Sequence, residues 1–281
     1  MRTLIDIVEM QSMADGLRKQ GNRIGFVPTM GFFHEGHLSL MRKAKELSDV
    51  VVVSLFVNPA QFGPGEDFEE YPRDEERDSM LAMKNGCDVL FVPGVEGMYP
   101  KGYATYVQVN DLSTVLCGAS RPGHFQGVTT VVTKLFNIVK PHVAIFGQKD
   151  AQQAIIIRRI AEDLNYGVDI VIAPIVRESD GLAMSSRNMY LNRKERAEAV
   201  VLHQSLLEAE KLIAAGERRA HVIREAMKSL ITAKDSARID YVSILDADTL
   251  QPLDLLQGRI LIALAVRFGK ARLIDNTIMT C

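Results

Sequence analysis

Residues 22–57 read NRIGFVPTMGFFHEGHLSLMRKAKELSDVVVVSLFV. Asn22 to Pro28 reads as a strand. Between His37 and Leu47 the apolar residues Leu38, Leu40, Met41, Ala44 and Leu47 recur at helical spacing. Val50 to Val57 is a continuous β-branched run, the pattern of a strand buried on both faces. Strand, helix and strand in one short stretch predict a right-handed βαβ crossover, and therefore parallel pairing.

The alternation continues outward from this unit. The spacing predicts a helix over Arg73–Lys84, strands over Asp88–Val92 and Tyr103–Val109, and a helix over Val128–Val139 stopped by Pro141. A strand over His142–Phe146, a helix over Ala151–Asn165 and a strand over Val168–Ile172 follow. Such a sequence belongs to the α/β class, a parallel sheet with helices on both faces. The pattern changes after Ser185–Asn188. Two charged amphipathic helices, Arg193–Ala215 and Arg219–Ala233, precede strand-like runs at Ile239–Leu245, Arg259–Val266 and Ala271–Ile278. Helices followed by consecutive strands fit a smaller α+β domain with an antiparallel sheet. The boundary is expected near Val176, giving domains 1–175 and 176–281 joined by a short hinge, because the segment is not rich in Gly or Ser.

Bulk properties agree with this division and exclude several classes. A length of 281 residues suits one large domain or two unequal ones. The formal net charge of −2 argues against a general nucleic-acid binder, whose phosphate contacts need a basic face. It leaves room for one local anion pocket. Cys87, Cys117 and Cys281 are odd in number and widely spaced, which disfavours a disulfide framework or a structural zinc. The N-terminus carries Asp6 and Glu9 and lacks the apolar core of a signal peptide, and no apolar run reaches membrane-spanning length. No membrane partner is expected, and the cytoplasm is the expected address.

Four segments carry candidate chemistry. Pro28-Thr29-Met30-Gly31-Phe32-Phe33-His34-Glu35-Gly36-His37 lies where the first of these strands passes into a helix. Ligands of parallel sheets bind beyond the carboxyl ends of strands, and a helix start offers free N–H groups to an anion. His34 and His37 could both face such an anion and donate to phosphate oxygens; a plain turn with two exposed histidines reads equally well. Phe146-Gly147-Gln148-Lys149-Asp150 is a second strand end, where Lys149 could reach phosphates and Asp150 could cap a helix or accept from a ribose hydroxyl. A glycine turn with a solvated lysine is its bland reading. In Asp180-Gly181-Leu182-Ala183-Met184-Ser185-Ser186-Arg187-Asn188 the hydroxyls and the Arg187 fork could close over a triphosphate, or simply cap a helix. Asn58-Pro59-Ala60-Gln61-Phe62 ends a further strand, and Gln61 offers a donor and an acceptor to a hydroxy acid, as does Gln153, one turn beyond Lys149. Acids between Glu66 and Asp78 could hold Mg²⁺ or form a solvated charged helix. His124 is either a pocket residue or a loop histidine.

Five stretches, PTMGFFHEGH, VNPAQFGPGEDFEEYPR, SRPGHFQGV, KLFNIVKPHVAIFGQKDAQQ and SDGLAMSSRNMYL, occur in this order and at these separations. Together they resemble the pantoate–β-alanine ligase (pantothenate synthetase) family over the whole chain. The resemblance implies a Rossmann-like sheet of the nucleotidyltransferase type, a C-terminal lid domain and a homodimer. It implies that ATP and pantoate form a pantoyl-adenylate, which β-alanine attacks to give pantothenate and AMP. Carried over by position, Pro28 through His37, Gly147 through Asp150, Val176 and Met184 through Arg187 would bind ATP. His34, His37, Lys149 and Arg187 would be catalytic, with His37 the principal donor. Gln61 and Gln153, with Asn58 and His124, would meet pantoate or β-alanine, and Asp78 would meet Mg²⁺ although its neighbour Arg77 cannot ligate. The competing reading is an adenylyltransferase that stops at nucleotide transfer. It would not need Gln61 and Gln153.

Overall fold

The computed structural model describes Met1–Cys281. In chain order it opens with β1 (Arg2–Leu4), α1 (Ile7–Lys19), β2 (Ile24–Thr29), α2 (Glu35–Leu47), β3 (Val50–Leu55) and α3 (Glu75–Lys84). Next come β4 (Val89–Phe91), the short α4 (Val95–Met98) and α5 (Cys117–Ser120), α6 (His124–Val139), β5 (Val143–Gly147), α7 (Ala151–Asp163) and β6 (Asp169–Ala173). The C-terminal part holds α8 (Arg193–Ala199), α9 (Val201–Ala214), α10 (Ala220–Thr232), β7 (Ala237–Asp246), β8 (Arg259–Phe268) and β9 (Ala271–Thr280).

The chain divides into two compact units. The first comprises residues 1–114, 121–148 and 152–174; the second takes 175–281 together with the short pieces 115–120 and 149–151.

The first unit is built on a six-stranded sheet of order β1-β4-β3-β2-β5-β6, parallel throughout. Val51, Val52 and Val53 of β3 are fully buried, as their unbroken run implied. The register of β2 decides where a ligand can enter. Against β3 it is paired from Ile24 to Thr29, but against β5 only Gly25 and Phe26 are paired. Pro28, which has no N–H to give, lies beyond that pairing. β2 and β5 also mark the point where the strand order turns back on itself, the usual place for a crevice at strand carboxyl ends. α6 is apolar on most of its surface and largely buried, and it ends where Lys140 takes a left-handed conformation (φ 49°) just before Pro141.

The second unit carries the three-stranded antiparallel sheet β7-β8-β9. The central strand β8 is buried along nearly its whole length. Its core joins Leu202 and Leu206 of α9 with Ile223, Met227 and Ile231 of α10 and Leu264 and Phe268 of β8.

Several boundaries differ from expectation. Residues 103–109 are not a strand; the Val107 N–H donates to Thr130 Oγ1 (3.0 Å) and the Val107 carbonyl accepts from Thr129 Oγ1. Helix side chains thus satisfy a backbone that no strand reaches. The single helix expected over Arg193–Ala215 is two helices that meet at Val200. The first is fixed by reciprocal capping between Asn192 and Glu195. α6 begins at His124, not Val128, and α3 begins only after Asp74, whose side chain accepts from Arg77 N. β1 and α1 had no strong sequence signal. α1 is held by Asp6 at its start and by Arg18 and Lys19 in its last turn. No helix is long and apolar enough to cross a membrane.

Candidate active site

The turn after β2 is braced from behind. Gly31 (φ 89°) and Phe32 (φ 50°) are both left-handed, and a Cβ on Gly31 would lie 3.0 Å from Asp78 Oδ2. Asp78, 1% exposed, accepts from Phe32 N (2.5 Å) and Phe33 N (2.7 Å). Arg77 completes the clamp by donating to the Phe33 carbonyl (2.9 Å) and covering the Phe32 ring at 5.2 Å. Burial pushes the Asp78 carboxyl above its ordinary range, against the pull of these N–H groups. Asp78 therefore holds the backbone of residues 32–33 in place. No group of three or more His, Cys, Asp or Glu is arranged to hold a metal ion. Protein ligands alone do not make a cage here, and a magnesium ion would depend on substrate phosphates for its coordination.

The same turn delivers the histidine pair. His34 caps α2, its Nδ1 accepting from Gly36 N (3.1 Å), and His37 Nδ1 accepts from His34 N (3.4 Å). With Nδ1 an acceptor in each ring, the proton of the neutral imidazole sits on Nε2, which is then a donor in both. The ring centroids are 4.2 Å apart. A Cβ on Gly36 would meet His34 Cε1 at 2.8 Å, so glycine at this place is what admits the pair. Glu35 is turned to the surface and paired with Arg42. A cleft of about 250 Å³, lined among others by Met30, Gly31, Leu55, Asp78 and Pro93, lies at the carboxyl ends of β2, β3 and β4.

Gln61 sits in a buried network of the same unit. It is 8% exposed, and Asn58 is 1% exposed. Tyr99 OH donates to Asn58 Oδ1 (2.7 Å), Asn58 Nδ2 donates to Gln61 Oε1 (3.0 Å), and Gln61 Nε2 lies 3.1 Å from Met30 Sδ. The Gln61 carbonyl is held from the other side. Arg121 NH1 faces His124 Nε2 (3.1 Å), so His124 carries its proton on Nδ1 and donates it to Gln61 O (2.9 Å). Arg121 in turn grips Glu66 through two hydrogen bonds of 2.7 and 2.6 Å. Burial alone would raise the Glu66 carboxyl, but the Arg121 hydrogen bonds and charge overcome it and bring it down to about 2. His124 thus stands behind Gln61 as a support. A Cβ on Gly127 would come within 2.2 Å of Ala60 O, so α6 can approach the Pro59–Gln61 turn only as glycine. Gln153 is half-buried on α7, while its neighbour Gln152 is turned inward to the Leu112 carbonyl (2.9 Å).

Gly147 and Gln148 leave the carboxyl end of β5, the strand next to the one that delivers the histidine turn. Gln148–Asp150 form a short 3-10 turn that runs directly into α7, with Lys149 half-buried and Asp150 exposed.

The second unit contains the 176–188 segment. Met184 N donates to the Val176 carbonyl (3.0 Å), and Glu178 N to the Leu182 carbonyl (2.8 Å), so the loop folds back and brings the two expected nucleotide residues Val176 and Met184 side by side. Ser185 caps the turn Ser186–Tyr190, its Oγ accepting from Arg187 N (3.3 Å). Arg196 ties the loop down through Glu178 (2.6 Å) and Asp180 (2.7 Å), and Asn188 Nδ2 donates to Glu178 Oε1 (2.9 Å). The capping reading of Ser185 is therefore realised, with Arg187 in the turn that it caps. Sequence reading missed the supporting roles of Tyr99 and Arg121 and gave Glu66 only as one of the acids that could hold Mg²⁺; Tyr99 reaches Asn58, and Arg121 reaches Glu66, across long stretches of chain.

The chain matches known proteins over nearly its whole length. The family model described as pantoate-beta-alanine ligase matches residues 2–278. The chain is 58% identical over 279 residues to the pantothenate synthetase of Moorella thermoacetica, covering 99% of each. It is 60% identical over 279 residues to that of Heliobacterium modesticaldum, again covering 99% of each. Among solved structures, the pantothenate synthetase of Thermus thermophilus superposes with a TM-score of 0.93 at 45% identity, covering 99% of both chains. The pantoate-beta-alanine ligase of Francisella tularensis, complexed with beta-gamma ATP and beta-alanine, gives a TM-score of 0.80 at 34% identity, covering 99% of this chain and 97% of the other.

Proposed function

This chain belongs to the pantoate–β-alanine ligase family, and from that premise we propose how its residues carry out the reaction. The enzyme joins pantoate to β-alanine at the expense of ATP. A carboxylate is a poor acyl donor because its leaving group would be oxide. In the first half-reaction a pantoate carboxylate oxygen attacks the α-phosphorus of ATP, and the bond to pyrophosphate breaks. In the second, the β-alanine amine attacks the acyl carbon, AMP leaves with the bonding pair, and the amine gives up a proton as the amide forms.

The first step joins two anions. Its demand is for donors placed where charge gathers on the α-phosphate and on the departing pyrophosphate. His34 and His37 supply Nε2–H donors, and Lys149 and Arg187 supply positive charge. Pro28 through Gly36, Gly147, Gln148, Asp150, Val176 and Met184 through Ser186 complete the nucleotide contacts. Gln61 and Gln153 orient pantoate. Asn58 acts by holding the Gln61 amide oxygen, which leaves for substrate the amide hydrogen that is not directed at Met30 Sδ, and His124 acts by holding its backbone. Magnesium would accompany the nucleotide and would offset part of the negative charge of its phosphates. In this reading residues 1–175 are the catalytic domain and 176–281 the lid domain. The enzyme is a cytoplasmic homodimer, in keeping with its three free cysteines.

The observation that carries the reading is the short pairing of β2 with β5, since the histidine turn and Gly147–Gln148 leave from the carboxyl ends of these neighbouring strands. AMP formation with pantoate and β-alanine omitted in turn tests it. The expected result is full dependence on pantoate and loss of pantothenate without β-alanine. Rapid AMP release with neither present would refute the reading, and a stable adenylyl product formed without β-alanine would favour simple nucleotidyl transfer.

A further inference from the structure

β9 has an apolar pattern interrupted by two consecutive polar residues, Asp275 and Asn276, which are 2% and 3% exposed. Their positions opposite Leu264 and Ala263 of β8 place them well inside the strand. Adjacent strand residues point to opposite faces, so the two side chains serve different sides of the sheet. Buried polar groups at such places need partners, and both partners lie in segments already linked to the nucleotide.

Asn276 Nδ2 donates to the carbonyl of Lys149 (3.0 Å). Asp275 receives Arg177 in a two-pronged pair, NH1 to Oδ2 at 2.6 Å and NH2 to Oδ1 at 3.0 Å, and its Oδ1 also accepts from Asn276 N (2.8 Å). Arg177 NH1 reaches across its own loop to the Gly181 carbonyl (3.0 Å), and an isolated antiparallel bridge joins Arg177 to Ala183, just before Met184. His203 packs under the same loop, where a Cβ on Gly181 (φ 96°) would meet its Nδ1 at 2.2 Å. One dipeptide of one strand therefore fixes the backbone of the lysine turn and the base of the loop that leads to Ser185–Arg187.

We propose that Asp275 and Asn276 are positioning residues of the adenylation step, Asn276 setting the place of Lys149 and Asp275 that of the Arg177–Arg187 loop. This rests on the ligase reading given above. A buried Asp–Arg pair gives little net stability, because desolvation offsets the attraction between the charges. Its value here is geometric. Donors aligned in advance do not reorganise while charge develops, whereas a displacement of about 1 Å can cost roughly a hundredfold in rate.

The test is pantoate-dependent exchange of pyrophosphate into ATP, measured with N276L, K149A and the N276L/K149A pair. N276L keeps the volume and loses the donor. The expected result is a fall in kcat of roughly 10–100-fold, with the KM for ATP changed less than about threefold and an unaltered thermal unfolding midpoint. In the K149A background, N276L should add almost nothing, because its effect passes through Lys149. Losses that multiply in the double variant, or a full rate in N276L, would overturn the role of Asn276. For Asp275 the paired variant D275L/R177M removes both charges together, so that neither is left buried alone. It should fold and show a lowered kcat with a rate less sensitive to loss of Arg187; a normal kcat would overturn that half of the proposal. An unaltered chain that shows no pantoate-dependent exchange would refute the ligase reading and this inference with it. A normal rate in the variants beside an active parent refutes the inference alone.

Discussion

The two turns at the carboxyl ends of β2 and β5 solve one problem in opposite ways. The first, Met30 to His34, bends through two left-handed residues and is stitched to α3 by Asp78 and Arg77. The second, Gln148 to Asp150, makes one 3-10 turn into α7, has no left-handed residue, and keeps none of its three side chains buried. The first stores strain and must be held by a buried carboxylate. The second is backbone of ordinary conformation, and its lysine is placed by one amide from β9. A strained turn presents two rings at a fixed spacing; a relaxed one presents a single flexible charge. The difference fits the donors. Imidazoles must be aimed as well as placed, while an ammonium acts as a point charge, for which position matters and direction does not.

The largest effects expected from this comparison are on rate. Lys149→Ala and His37→Ala should each fold normally and lose at least about a hundredfold in adenylate formation, roughly 3 kcal/mol of transition-state stabilisation. For His37→Ala the loss should fall on the first half-reaction. Pre-formed pantoyl-adenylate should be consumed by β-alanine at a nearly normal rate, and an equal loss in both steps would remove His37 from its role. Next comes stability. Asp78→Ala leaves two inward-facing N–H groups without an acceptor and should cost roughly 2–3 kcal/mol in urea unfolding. Asp150→Ala, at the exposed end of the other turn, should stay within about 0.5 kcal/mol. Equal costs would break the contrast.

Smaller still is the glycine pair. Gly31→Ala forces a side chain into a left-handed position beside Asp78 and should cost about 1–2 kcal/mol. Gly147→Ala meets nothing within 4 Å and has no positive φ. It should be neutral or stabilise by up to about 1 kcal/mol. The smallest expected effect is on pH dependence. Asp78 is raised in the folded chain by burial. Its favourable contribution is present below the ordinary carboxylate range and is lost as pH rises through the raised value. Stability of the parent relative to Asp78→Asn should therefore decline with rising pH across that window. Glu66, lowered to about 2, should act in the opposite sense, its contribution present above its ordinary value of 4.5 and lost as pH falls toward about 2. A Glu66→Gln series run beside the Asp78 series checks both signs, and parallel slopes would contradict the assignment of Asp78 as the desolvated member.

Much of the architecture was legible because it rests on periodicity. The four valines of β3, the spacing in α2 and the stop at Pro141 each report one element through local sterics and burial. Residues 103–109 misled for the same reason. Alternating apolar residues look like a strand whether or not a neighbouring strand is present, and here their backbone bonds to threonines of α6. The candidate residues were legible as motifs, whereas their supports were not. Arg121 acts on Glu66, Tyr99 on Asn58 and Asn276 on Lys149, each across a long stretch of chain. The one local hint was a polar pair inside an apolar strand at Asp275–Asn276.

By itself the sequence determined the class of fold and the order of most of the strands and helices, because burial period and turn chemistry are properties of short segments, and the order and spacing of its five motif stretches pointed to the family. The tertiary structure alone decided that Asp78 holds a turn, that His124 stands behind Gln61, and that β9 carries the tether of Lys149. Those are contacts between residues remote in the chain. Whether a buried carboxylate or amide finds a donor there depends on packing, which no local pattern specifies.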